Sequence, residues 1–219
     1  MAGLVKAERP VILIPGLNLD PTVSRIHTRA AEMINNSGPY STVIFPVRWE
    51  DRREGLTAKK ARLHEMAGRL ADAYQEPPDL VGSSIGGSFG IVSAGEKPGL
   101  FRAAVAVHAR TRWTRNTDWA TMLMASPSGV DTVDQLASRW NTTFSDALVG
   151  RVTMMRIPKA DNRIPEPDME LDRANTHLYE VPSGERIRGH GASIVTILNT
   201  KHGINSVVTL LENPMVKAT

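Results

Sequence analysis

The chain has 219 residues, 41% hydrophobic and 22% charged, and contains no cysteine. That length and apolar content fit one domain with a sizeable core and argue against disorder, a fibre or two full domains. Without cysteine there is no disulfide, thiolate metal site, iron–sulfur cluster or cysteine nucleophile. A net charge of +3, scattered along the chain, gives no reason to expect nucleic acid as a partner.

The segment Met1 to Pro10 lacks the apolar core of a signal peptide, and no stretch approaches roughly 18 uninterrupted apolar residues. A cytoplasmic protein with no membrane span is expected. Short β-branched runs alternate with longer helical patterns, which predicts α/β architecture: a mostly parallel central sheet flanked by helices. Val11 to Pro15 reads as the first strand, Pro21 to Asn36 as a helix and Thr42 to Val47 as the second strand. Thr57 to Gln75 reads as a helix because Leu63, Met66, Leu70 and Ala73 or Tyr74 recur on one face. Asp79 to Gly82 reads as a strand, followed by a helix from just after Ser84 towards Lys97, where Pro98-Gly99 stops it. Ala103 to His108 is the next predicted strand.

The stretch Trp113 to Leu148 breaks this rhythm, being far longer than an ordinary α/β connection and showing no clear strand. It reads as a small helical cap, residues 111–149, inserted into a single domain spanning 1–219. Beyond it, Val152 to Ile157 and His177 to Val181 read as strands, and Ile204 to Glu212 as a closing helix ended by Asn213-Pro214.

Gly82, Ser84 and Gly86 form a G-x-S-x-G motif where a predicted strand turns into a predicted helix. A serine at the apex of such a turn is held out of the sheet, and glycines on either side remove Cβ atoms that would clash. The amide of Ile85, at the start of the helix, is placed to stabilise an oxyanion. The alternative is a glycine-rich turn that merely packs helix close to strand. A phosphate-cradling loop is rejected because Ser88 stands where lysine is required after Gly82 and Gly87.

These residues resemble the α/β-hydrolase fold family, in its serine hydrolase or esterase-like form with a small cap. Val11-Ile12-Leu13-Ile14-Pro15-Gly16-Leu17-Asn18 is similar to the family's strand and oxyanion loop, with Pro15-Gly16 where His-Gly is common. The likeness makes Leu17 N–H the second oxyanion donor. Lys159-Ala160-Asp161-Asn162-Arg163-Ile164-Pro165 resembles the acid loop, which implies Asp161 as the acid, with Glu166 and Asp168 as nearby substitutes. The family's chain order of serine, acid, histidine leaves His190 and His202. His190, in Arg188-Gly189-His190-Gly191, is preferred; His202 takes its place if Ala192 to Leu198 forms a strand. His27 and His64 read as surface residues on helices. His108 ends a strand on the carboxyl side of the sheet, from where it could line a substrate pocket.

The resemblance implies a serine hydrolase that cleaves an ester or related acyl bond of a small molecule through a Ser-His-Asp triad and an acyl-enzyme, without metal or organic cofactor. Trp113, Trp119, Met122, Leu123 and Met124 of the cap would form an apolar wall beside the serine. Arg110, Arg112 and Arg115 would favour an anionic substrate or else form a solvated face. Two alternatives remain: a catalytically silent ligand-binding protein on the same fold, and an acyltransferase using the same triad.

Overall fold

A computed structural model describes residues 8–16, 21–49, 54–109, 152–158 and 176–213. The expected cap, Leu17, Asp161, Glu166, Asp168 and the arginines at 110, 112 and 115 lie outside the described residues. Within them the chain runs β1 (Arg9–Ile14), α1 (Pro21–Asn35), β2 (Tyr40–Ile44), α2 (Leu56–Tyr74), β3 (Asp79–Ser83), α3 (Ile85–Glu96), β4 (Ala104–Val107), β5 (Val152–Arg156), β6 (Thr176–Leu178), α4 (His190–Leu198) and α5 (Lys201–Glu212).

The strands pair in the order β2-β1-β3-β4-β5-β6, and every pairing is parallel. Successive strand side chains point to opposite faces, so an apolar run serves two cores at once. Val11, Leu13, Val81, Val105, Val107 and Met155 pack with Ala30, Ile34, Ile197, Val207 and Leu211 of α1, α4 and α5. Ile12, Ile14, Leu80, Ala104, Ala106 and Met154 pack with Leu63, Phe89 and Ile91 of α2 and α3 and with Phe45 and Trp49. This double burial is why the central strands read as continuous apolar runs. Because β1 lies between β2 and β3, the strand order reverses there. The crevice at the carboxyl ends of β1 and β3 is therefore the switch point where such sheets bind ligands.

Several boundaries differ from expectation for local reasons. β2 starts at Tyr40 and stops at Ile44 because Pro46 has no amide to extend the ladder, although Phe45 N–H still donates to Leu13 O at 2.9 Å. β6 ends at Leu178, short of Val181; Tyr179 N–H makes a last bond to Arg156 O before a turn at Pro182 and Ser183, closed by Gly184 N–H to Val181 O. α5 begins at Lys201, ahead of Ile204, because the Thr200 hydroxyl caps it by accepting from Gly203 N–H at 3.1 Å.

Phe45, Trp49 and Phe89 support the helix that follows β3. The rings of Phe45 and Phe89 stack at 6.3 Å, and Trp49 meets Phe89 edge-on at 5.2 Å. At the opposite, amino end of the sheet, Asp79 is fully buried and paired with Arg102, whose guanidinium also donates to Leu211 O. Burial pushes the Asp79 carboxyl up to about 6 against the lowering effect of Arg102. That cluster stands away from the switch point and holds α5 to the sheet.

Candidate active site

Ser84 occupies the turn from β3 into α3 with φ 52° and ψ −126°. Few residues with a Cβ adopt that conformation, because the β-carbon crowds the neighbouring carbonyls. The turn is held by Ser84 N–H donating to Val107 O at 2.9 Å and by Ser88 N–H donating to Ser84 O at 3.1 Å. Both flanking glycines are required by contact. A Cβ on Gly82 would stand 2.5 Å from Gly86 O, and one on Gly86 would run into the carbonyl oxygens of Ile14 and Pro15. Removing these Cβ atoms lets α3 start close against β1 and lifts the serine hydroxyl above the sheet.

His190 opens α4, and its Nε2 lies 2.7 Å from Ser84 Oγ across 106 residues of sequence. This is hydrogen-bond contact between a hydroxyl and an imidazole able to take its proton. Gly189 before it has φ 96°, a left-handed conformation that lets the loop turn abruptly into the helix. The segment containing Ala192 to Leu198 is helical. His202 lies on the exposed side of α5, with its ring 5.5 Å from Tyr179, and takes no part in this pair.

His108 directly follows β4, with φ 47°, and is 2% exposed. Its Nε2 accepts from Ile157 N–H at 2.9 Å, and its ring meets that of His190 edge-on at 6.3 Å. It thus ties β4 to β5 directly beside the Ser84–His190 pair. Asp161, just beyond β5, is the acid implied by the resemblance and lies outside the described residues, as do Trp113, Trp119 and Met122.

On the other side of Ser84, Ile85 opens α3, so its amide is among those a helix leaves without an intrahelical acceptor. The Pro15-Gly16 turn, which leads to Leu17, packs against the serine: a Cβ on Gly16 would stand 3.0 Å from Ser84 Cβ. Gly16 N–H donates to Ser83 Oγ at 3.0 Å, and the Trp49 indole N–H donates to Pro15 O at 2.9 Å.

The expectation that His27 is a surface residue is wrong. It is 1% exposed, with Nε2 2.9 Å from Ser83 Oγ. Its position was readable, since residues 27, 30, 31 and 34 recur at helical spacing and all are buried. His64 is also drawn inward. It is half-buried, its ring centroid lies 6.3 Å from that of Phe101, and burial lowers its pKa. Among the described residues no three His, Asp or Glu side chains gather to hold a metal, and no helix is long and apolar enough to cross a membrane.

No protein-family model matches the sequence, and no curated protein matches it. Solved structures do match. An alpha/beta-superfamily protein from Xanthomonas campestris superposes with a TM-score of 0.59 at 16% identity, covering 94% of this chain and 99% of its own. A hyperthermophilic esterase from Pyrobaculum calidifontis gives 0.65 at 14% identity, over 94% of this chain and 76% of the esterase. A thioesterase domain from the curacin biosynthetic pathway gives 0.62 at 10% identity, over 94% and 91%. Identities this low speak to architecture alone, and the parallel sheet, its strand order and these superpositions agree: this chain has the α/β-hydrolase fold.

Proposed function

We propose that this chain is a serine hydrolase of the carboxylesterase or lipase type, acting on an ester or related acyl bond of a small molecule. The observation that carries the reading is the 2.7 Å contact between His190 Nε2 and the hydroxyl of Ser84, a residue held at φ 52°. Hydrolase, esterase and thioesterase names among structures sharing the fold support it.

In this reading Ser84 Oγ attacks the acyl carbonyl while His190 takes its proton. The amides of Ile85 and Leu17 receive the negative charge that develops on the carbonyl oxygen. His190 then returns the proton to the leaving alcohol, and the acyl group remains on Ser84. Water, deprotonated by the same imidazole, attacks the acyl-enzyme; its proton passes through His190 to the serine as the acid leaves. Asp161 orients His190 and stabilises its cationic form. Residues 111–149 supply the cap and, through Trp113, Trp119 and Met122, the acyl-side wall. The alcohol or water that accepts the acyl group decides between transfer and hydrolysis.

Steady-state and burst kinetics on p-nitrophenyl acetate and butyrate test the proposal. Wild type should turn over both esters, and Ser84→Ala and His190→Ala should each lower kcat by at least ~10³-fold while remaining folded. Folded wild type that turns over neither ester, or a Ser84→Ala variant as active as wild type, would refute it.

A further inference from the structure

Ser83 and His27 have no part in the Ser84–His190 contact described above, yet Ser83 adjoins the nucleophile in the chain and both are buried. Ser83 is 1% exposed and His27 1% exposed. Ser83 is the last residue of β3 and shares its side-chain face with Val81, the face covered by α1. On that face Ser83 Oγ meets Gly16 N–H at 3.0 Å and His27 Nε2 at 2.9 Å. A hydroxyl that accepts the Gly16 amide proton has its own proton to give to His27. The three groups then form a chain running from the turn after β1, through the residue before the nucleophile, into α1.

The Pro15-Gly16 turn is held from a second direction by Trp49 Nε1–H donating to Pro15 O. It is held from a third by α3, whose Gly86 packs against the carbonyls of Ile14 and Pro15. Two of these three restraints fix carbonyls. Among the described residues the bond to Ser83 is the one that fixes an amide here, and that amide precedes Leu17 by one residue in the sequence. The Gly16 amide and the one that follows it are separated only by Gly16 φ and ψ, so holding the first removes one of the freedoms on which the direction of the second depends.

We propose that Ser83 and His27 are positioning residues for the oxyanion hole: His27 orients the Ser83 hydroxyl, which holds the Gly16 amide and so aims the following amide at the reacting carbonyl. The inference rests on the serine hydrolase reading above. Ser83 belongs to the same turn as the nucleophile, so one short segment sets the distance between attacking oxygen and oxyanion donor. An oxyanion donor acts through geometry, and a misplacement of about 1 Å can cost on the order of 100-fold in rate.

The test compares wild type with Ser83→Ala, His27→Leu and His27→Gln, whose terminal amide reaches the position of Nε2. Each is assayed on p-nitrophenyl acetate and on the matching thionoester, whose sulfur is a poor hydrogen-bond acceptor and draws little from an oxyanion hole. Ser83→Ala and His27→Leu should lower kcat on the ester ~10- to 100-fold with KM within ~2-fold, and should shrink the preference for ester over thionoester by a similar factor. His27→Gln should stay within ~3-fold of wild type on both measures. A role confined to stability would lower Tm and leave the ester-to-thionoester ratio unchanged.

Folded Ser83→Ala with wild-type kcat and ratio would overturn the inference while wild-type turnover leaves the hydrolase reading standing. Should Ser83→Ala fail to fold, His27→Leu against His27→Gln makes the same comparison, and equal ratios in those two would overturn it. Absence of both turnover and a Ser84 adduct in folded wild type would refute the hydrolase reading itself and this inference with it.

Discussion

Replacing Ser84 by glycine and by alanine separates the strain of the turn from the chemistry of the hydroxyl. At φ 52° and ψ −126° the serine Cβ is crowded by its own backbone. A residue held in such a region costs about 1–3 kcal/mol. Ser84→Ala removes the hydroxyl and keeps the strain; Ser84→Gly removes both. Glycine also gives the unfolded chain more freedom, which takes back about 0.4–1 kcal/mol. The net expectation is that Ser84→Gly is more stable than Ser84→Ala by about 1 kcal/mol. For a domain of this size that is a Tm higher by about 2–4 °C. Thermal and urea unfolding followed by circular dichroism, with the two variants side by side, measure the difference. A glycine variant equal to or less stable than the alanine variant would refute the claim that this turn stores strain to present its side chain.

Two further outcomes follow from the packing. Asp79 has its carboxyl raised from 3.8 to about 6, chiefly by burial. The folded state therefore holds this proton more tightly than the unfolded state, and the corresponding stability is fully present below pH 3.8 and is lost as pH rises from there through about 6. The loss is on the order of 3 kcal/mol. Asp79→Asn should flatten the unfolding free energy across that window, and an unchanged slope would refute the assignment. Gly86→Ala drives a Cβ into the carbonyls of Ile14 and Pro15. It should cost about 3 kcal/mol and separate α3 from β1, lowering ester turnover together with stability, whereas wild-type stability would contradict the close approach.

The elbow was legible because its requirement is local and steric: Gly82 and Gly86 stand where any Cβ would strike backbone. The sheet was legible because each central strand is buried on both faces and must be apolar throughout. α4 was not recognised as a helix. Its run Ser193-Ile194-Val195-Thr196-Ile197-Leu198 has the β-branched composition of a strand, and burial of Ile194, Ile197 and Leu198 at helical spacing is what decides for helix. His27 was misplaced because its polarity was weighed above the helical spacing it shares with Ala30, Ala31 and Ile34, all of which turn inward. Chain order alone left His190 and His202 open, since the contact that separates them joins residues 106 positions apart. The acid and the cap depend on Asp161 and residues 111–149, which lie outside the described residues.

The central claim is that Ser84 is a nucleophile activated by His190. It is tested most directly by incubating the protein with a fluorophosphonate probe and locating the adduct by mass spectrometry in wild type, Ser84→Ala, His190→Ala and His202→Ala. A single adduct is expected on Ser84 in wild type and in His202→Ala, none in Ser84→Ala, and labelling slowed by at least ~10³-fold in His190→Ala. No adduct on folded wild-type protein, or labelling of Ser84 at the wild-type rate without the His190 imidazole, would contradict it.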